Sequence, residues 1–257
     1  MITAGIDMGA KTTKVVILQD GKVLGRGLAM TGFEQKEAAE QAFSKALEQA
    51  GLAQNAIGRV FATGVGRQSA PFATNNVTEI AAAAKGSLFL NPKLRTVIDV
   101  GAEEGRAIKC TEAGKVADFA VNEKCAAGAG SFVEAMSRAL ELPLEKMGEM
   151  SLRSNNAVPM NAQCTVFAES EVVSLVHAKT PKEDIVRAIH DAIANRIVSM
   201  ARRVGVQEVV GLIGGVALNA GFIDSLRRCL EVESVWVPPE PEYVGAIGAA
   251  VAAAEAA

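Results

Sequence analysis

The chain opens with three short apolar runs, at residues 2–7, 14–18 and 22–28, separated by a glycine-containing turn and by Asp20-Gly21. An Asp-Gly pair between apolar runs is a hairpin signal, so the opening reads as three successive strands. The hydrophobic period then lengthens to that of a helix over 36–50, shortens to a strand at 60–63, and gives an Ala-rich helix over 78–90 that Asn91-Pro92 ends. A second strand-turn-strand pattern starts at 96–101 and continues through 106–110, with a turn near Ala113-Gly114. Helices are expected at 131–140, 168–178 and 182–204, the last with apolar residues at 185, 186, 189, 193, 197 and 200 on one stripe. Buried strands are expected at 209–213, before Gly214-Gly215, and at 235–237, before Pro238-Pro239; a small-residue helix opens at Gly245.

The Ile-Asp-x-Gly pattern at 6–9 recurs at 98–101, with a helix and a strand between. An Asp-x-Gly turn that twice opens a hairpin predicts an internal duplication and two similar lobes around a cleft, divided as 1–95 and 96–257, the last helix packing back on the first lobe. A length of 257 residues suits two modest domains or one large one. With one Trp and one Tyr in a chain that is 49% hydrophobic, the core must be built from Ala, Val, Ile and Leu. A net charge of -3 and the lack of a Lys/Arg block argue against nucleic acid or an anionic membrane as partner. No segment approaches the ~20 apolar residues that span a bilayer, and the start lacks the pattern of a signal peptide. A cytoplasmic location is expected.

Neither a P-loop nor a G-x-G-x-x-G dinucleotide motif occurs. The two Asp-x-Gly turns offer another way to hold phosphates: backbone N–H groups at Gly9, Ala10, Lys11 and Thr12, and around Gly101, Ala102 and Glu103, with Asp7 and Asp99 orienting magnesium and water. Thr12, Thr13 and Lys14 add hydroxyls and a cation. Gly214 and Gly215, in a run ending at Asn219, would let a flat adenine approach the backbone at a strand end. Singly, such glycines are ordinary turns; their order on a duplicated frame is the signal. In this order the chain resembles the actin, sugar-kinase and heat-shock-chaperone superfamily of two-lobed ATPases, which implies an α/β fold of paired ribonuclease-H-like domains.

Four cysteines stand at 110, 125, 164 and 229, with no C-x-x-C pair, so a self-contained zinc or ferredoxin-type site is disfavoured. Cys110 and Cys229 sit inside apolar patterns and read as small buried hydrophobes. Cys125 and Cys164 lie among small or polar residues near helix starts, where a thiolate is favoured. A 4Fe-4S cluster takes four thiolates and these two supply half, so two chains would complete the set. Glu169 and Glu171 read at least as well as solvated helix residues as they do as groups facing the nucleotide, and His177 and His190 read as surface or helix-packing residues.

Cys-Ala-Ala-Gly-Ala-Gly at 125–130 and Cys-Thr-Val-Phe-Ala-Glu-Ser-Glu-Val at 164–172 closely resemble the BadF/BadG/BcrA/BcrD ATPase family. The resemblance implies that Cys125 and Cys164 are cluster ligands in a homodimer or paralogous heterodimer with one bridging 4Fe-4S cluster. It further implies ATP with magnesium, a ferredoxin-type donor, and delivery of electrons to an acyl-CoA reductase or dehydratase component. Dehydratase activators typically read Asp-Ile-Gly-Gly-Gln-Asp at the second turn, where this chain has Asp99-Val100-Gly101-Ala102-Glu103-Glu104. The Gly105-Arg106 continuation resembles the benzoyl-CoA reductase subunits and tilts the expectation toward them. A small-molecule kinase and a nucleotide-binding regulatory module are the alternatives on the same fold.

Overall fold

A computed structural model describes residues 1–122, 130–160 and 165–256; the expected ligands Cys125 and Cys164 lie outside the described residues. In chain order the elements are β1 (Ile2–Met8), β2 (Thr12–Gln19), β3 (Lys22–Met30), α1 (Gln35–Ala50), β4 (Arg59–Thr63), β5 (Asn75–Asn76), α2 (Glu79–Leu90), β6 (Thr96–Val100), β7 (Gly105–Cys110), β8 (Val116–Asn122), α3 (Gly130–Ala139), α4 (Leu144–Leu152), α5 (Thr165–His177), α6 (Lys182–Val204), β9 (Val210–Ile213), α7 (Ala220–Leu230) and α8 (Val244–Glu255). They build one sheet in the order β3-β2-β1-β4-β5 and a second in the order β8-β7-β6-β9. The chain divides into two compact units: Met1–Val97 with Cys110–Ala117 and Pro238–Ala257, and Ile98–Lys109 with Asp118–Val237.

In the first unit β1, β2 and β3 are antiparallel, and β4 and β5 run parallel to β1. Ala38, Ala39, Ala42, Phe43 and Ala46 of α1 pack on Ile6, Met8, Val15 and Ile17. Fully burying a side chain the size of Phe43 or Ile17 contributes about 2 kcal/mol. The Ala face lets α1 approach β3 so closely that a Cβ on Gly27 would lie 1.8 Å from Ala42 O. Small residues do the same for α8. A Cβ on Gly5 of β1 would sit 2.0 Å from Ala246 O, and one on Gly248 would sit 1.8 Å from Ala82 O of α2.

In the second unit the stripe at 185, 186, 189, 193, 197 and 200 is buried, and it packs with Ile98, Val100, Phe132, Met136, Met147, Leu212, Phe222 and Leu226. Two helices, α4 and α7, were not anticipated by the apolar pattern. The strand expected at 235–237 reduces to one bridge: Trp236 N donates to Val210 O, and Leu212 N donates to Trp236 O, both at 2.9 Å. Among the described residues no helix is long and apolar enough to cross a membrane.

Candidate functional site

In the first unit Asp7, near the end of β1, faces Lys14 on β2 in register, with Lys14 Nζ 3.5 Å from Asp7 Oδ2. Glycines flank the carboxylate. Gly64, just after β4 with φ +89°, would place a Cβ 2.7 Å from Asp7 Oδ1, and Gly245, in the first turn of α8, would place one 3.2 Å from Oδ2. The partial positive charge at that helix start favours an anion. The following turn also needs its glycine, because a Cβ on Gly9 would meet Thr12 O at 2.9 Å. Thr31 straps the turn: its N–H donates to Lys11 O at 2.9 Å and its hydroxyl to Gly9 O at 2.8 Å. Thr13 is buried with its hydroxyl 3.0 Å from that of Thr31, so it serves the strap. Ala10 is exposed, and Lys11 and Thr12 are half-buried.

The second unit repeats the arrangement. Arg106 Nη1 lies 3.0 Å from Asp99 Oδ2, and both aspartates are held by a cation at the same sequence separation, seven residues on. The Arg106 guanidinium also reaches Glu104 Oε2 at 2.5 Å, so it bridges two carboxylates of the altered turn. Gly214, after β9 with φ +87°, occupies the place that Gly64 has beside Asp7: a Cβ would lie 2.7 Å from Asp99 Oδ1 and 2.4 Å from Val100 O. The Gly101 N–H closes the turn on Glu104 O at 2.9 Å, so that particular donor is used internally. Ala102 is half-buried and Glu103 exposed. Gly215 is exposed, and a Cβ there would have nothing within 4 Å, which leaves backbone open to a flat ligand.

The start of α3 joins this turn. Gly130 N donates to Gly101 O at 2.9 Å and Ser131 N to Ala102 O at 2.8 Å, while a Cβ on Gly130 would sit 3.1 Å from Val216 Cγ2. Turn 99–106, loop 214–216 and the start of α3 therefore meet at one place. At the loop's far end Asn219 caps α7, accepting from Phe222 N at 3.1 Å, and its Nδ2 lies 3.0 Å from His190 Nε2. Burial pushes His190 down to about 4.

The apolar pattern did not single out Gly64 or the His190–Asn219 contact. Gly-Val-Gly at 64–66 after an apolar strand was the available signal for the first. The second depends on which helices pack together and has no local signature.

The remaining thiols are poor ligands. Burial raises Cys110 to about 11 and also raises Cys229, which keeps both protonated. Among the described residues no three His, Cys, Asp or Glu side chains form a metal-holding group. Magnesium carried on a nucleotide asks less, one or two carboxylates beside its phosphates and waters. Asp7 in the first turn and Asp99 in the second are such carboxylates, their side chains 17% and 15% exposed.

Known proteins are similar to this chain along nearly its whole length. The activator of lactoyl-CoA dehydratase from Anaerotignum propionicum is 38% identical over 100% of this chain and 99% of its own length. The (R)-2-hydroxyglutaryl-CoA dehydratase activating ATPase of Acidaminococcus fermentans is 37% identical, covering 97% and 95%. A benzoyl-CoA reductase subunit of Thauera aromatica is 33% identical, covering 97% and 92%. Among solved structures, (R)-2-hydroxyglutaryl-CoA dehydratase component A of A. fermentans superposes with a TM-score of 0.95 at 36% identity, covering 99% and 98%. The activator of 2-hydroxyisocaproyl-CoA dehydratase from Clostridium difficile, with bound ADPNP, gives 0.93 at 35%, covering 99% and 95%. A glucokinase of the ROK family from Streptomyces griseus, at 0.58 and 16%, covers 99% and 100% and shares the fold, which is that of the actin-like and sugar-kinase ATPases. With the family model matching residues 4–253, the chain belongs to the BadF/BadG/BcrA/BcrD ATPase family.

Proposed function

We propose that this chain is an ATP-hydrolysing electron-transfer subunit that works with a second, identical or paralogous chain and passes electrons to an acyl-CoA dehydratase or reductase component. The residues of the two turns divide the nucleotide chemistry. Asp7 and Asp99 orient magnesium and the attacking water, residues 9–12 with Lys14 and the 102–103 part of the second turn hold phosphates, and the open backbone at Gly215 takes the adenosine end. Thr13 and Asn219 act from behind, one through the Thr31 strap and the other as the cap of α7. Cys125 and Cys164 of each chain would hold one 4Fe-4S cluster per dimer, which when bound supplies one-electron chemistry. A ferredoxin-type donor and a cytoplasmic location complete the reading.

The observation that carries it is the pair of hydrogen bonds from Gly130 N and Ser131 N to the second turn. Residue 130 closes the segment that carries Cys125. A nucleotide that moves the turn thus acts on the helix following that cysteine without intermediaries. The effect can be no larger than the difference in the nucleotide's affinity for the two states.

The lean toward the benzoyl-CoA reductase type rests on the Gly105-Arg106 continuation alone. The identities favour the dehydratase activators, at 38% and 37% against 33% for the benzoyl-CoA reductase relative. Both partner classes therefore belong in the test. Anaerobically purified, reduced protein should be coloured, hold about one 4Fe-4S cluster per two chains, and transfer electrons to a dehydratase or reductase component only while hydrolysing ATP. Colourless protein that phosphorylates a small molecule would replace this reading by a kinase. A full cluster on a stable monomer would remove the shared-cluster part.

A further inference from the structure

His190 is the one histidine of the chain that the fold encloses completely, at 0% exposure on α6. Its surroundings specify its chemistry. The Phe222 N–H can only donate, so the Asn219 oxygen that meets it at 3.1 Å is Oδ1, and the amide nitrogen turns to His190 Nε2 at 3.0 Å. Nε2 must accept, which puts the ring proton on Nδ1. That nitrogen is buried and has no hydrogen-bond partner among the described residues. A side chain present only to fill space would cost less as Leu or Met, because an orphaned buried donor costs about 1–3 kcal/mol. The histidine is therefore explained by what Nε2 does and not by its volume.

Three helices close on that contact. A Cβ on Gly221 of α7 would lie 2.8 Å from His190 Nδ1, 2.7 Å from Ser151 Cβ and 2.9 Å from Gly148 O, the last two on α4. A Cβ on Gly148 would lie 2.9 Å from Asn219 Oδ1. Asp191 and Arg228 extend the seam, with Arg228 Nη2 2.7 Å from Asp191 Oδ1 and Ser225 Oγ 2.6 Å from the same oxygen. The first turn of α7 is thus held against two helices, and its capping residue is also the last residue of loop 214–219.

We propose that His190 is a positioning residue for nucleotide binding: it fixes the Asn219 carboxamide, and through it the end of loop 214–219, in the conformation that receives the adenosine end. This rests on the reading of that loop as part of the nucleotide site. A capping side chain that accepts from Phe222 N can rotate about its own bonds, and the bond to His190 removes that freedom. Without it, the loop must be ordered when the nucleotide binds, and the ordering entropy is subtracted from affinity.

The full chain with its partner chain is titrated calorimetrically with ADP and with ATP. His190→Met keeps the volume without the acceptor, and His190→Gln offers an oxygen to Asn219. Asn219→Ser keeps the cap on Phe222 N but loses the amide donor, and because it leaves the core untouched it tests the bond even if the His190 variants fold badly. His190→Met and Asn219→Ser should each weaken ADP and ATP alike by about fivefold or more, with His190→Gln within about twofold of the parent. The double variant His190→Met with Asn219→Ser should be no weaker than either alone, since both remove one bond. Additive losses, or parent-like affinity in Asn219→Ser, would overturn the proposal. Gly215→Val serves as the control. If it abolishes binding while Asn219→Ser does not, the positioning role fails and the nucleotide loop stands. If Gly215→Val itself binds normally, the loop reading fails and takes the proposal with it.

Discussion

The backbone N–H of Gly130 donates to Gly101 O at 2.9 Å, which ties the first residue of α3 to the second Asp-x-Gly turn. The sequence places a whole hairpin between them, so the contact shortens the expected route from turn to helix. In reduced protein the accessibility of the proposed cluster to an iron chelator should differ between the ADP and ATP states by about fivefold or more, as a coupling of ordinary size demands. Gly130→Ala should shrink that difference, since its Cβ would press on Val216 Cγ2 at 3.1 Å and Gly101 O at 3.3 Å. Chelation at one rate in the apo, ADP and ATP states would mean that turn and cysteine segment are uncoupled.

Asp7 and Asp99 are each held by a cation and walled by a glycine of positive φ, Gly64 and Gly214. Replacing either by Asn preserves shape and removes the charge that, on the proposed reading, organises magnesium and water. ATP turnover should fall by about a hundredfold in each, the scale of losing one preorganised electrostatic group. Steady-state ATPase assays check this, and turnover within a factor of a few of the parent in either variant would remove that aspartate from the chemistry.

Adjacent glycines should separate fold from ligand. Gly214→Ala combines φ +87° with a Cβ 2.4 Å from Val100 O, a strain and overlap worth about 3 kcal/mol of stability. Gly215→Val places its side chain in open space and should leave the thermal midpoint unchanged while weakening nucleotide binding. Thermal melts and ADP titrations on the two variants test the pair together. A destabilised Gly215→Val would show that the loop packs against protein and not against a ligand.

Elements with a strong local period were legible: the β1–β3 hairpins, α1, and the long stripe of α6. So was the repeated Asp-x-Gly pattern, although only the first turn needs its glycine, since a Cβ on Gly9 would meet Thr12 O at 2.9 Å and one on Gly101 would come no nearer than 3.6 Å to Glu104 O. What was missed is written in contacts. The helix α4 is short and carries Gly148, which reads as a breaker until Asn219 is seen 2.9 Å from where its Cβ would be. The helix α7 has Phe222, Leu226 and Leu230 at helical spacing behind an Asn cap, but it follows directly on a glycine loop read for its ligand. Gly64 escaped notice because its partner, Asp7, is distant in sequence and adjacent only through the parallel β1–β4 pairing. For the candidate site, residue types were readable and the division of labour was not. Thr13 and Asn219 carry the right chemistry for a phosphate or a sugar, yet their polar atoms are engaged by Thr31, Phe222 and His190.

Cys110 is buried in β7 and its thiol is raised to about 11, while Cys229 is half-buried and also raised. Neither offers a thiolate at neutral pH. Cys110→Ala and Cys229→Ala should therefore keep the parent's iron and sulfide content, whereas Cys125→Ser and Cys164→Ser should lose it. Iron analysis after anaerobic purification decides. Loss of iron in a soluble, folded Cys110 or Cys229 variant would reassign the ligand set.

The enclosed His190 also predicts how stability depends on pH. Burial, the largest influence, lowers it from 6.5 to about 4, with Arg228 pushing the same way and Asp191 opposing. In the unfolded chain the ring takes up a proton below about pH 6.5, while in the folded chain it stays neutral down to about pH 4. Between those values the unfolded state binds more protons, so stability must rise with pH across the window. The contribution is fully present above pH 6.5 and is lost progressively as the pH falls toward 4, reaching about 3 kcal/mol at the acid end. Asp184 and Asp224, both lowered, lose stability in acid as well, so the comparison is made against His190→Gln, which lacks only the ring. Urea unfolding at pH 7.5, 5.5 and 4.5 should show the parent losing more stability than the variant, the gap opening below pH 6.5. Parallel curves would mean that the ring gains its proton in the folded state without cost, and the neutral acceptor facing Asn219 would have to be abandoned.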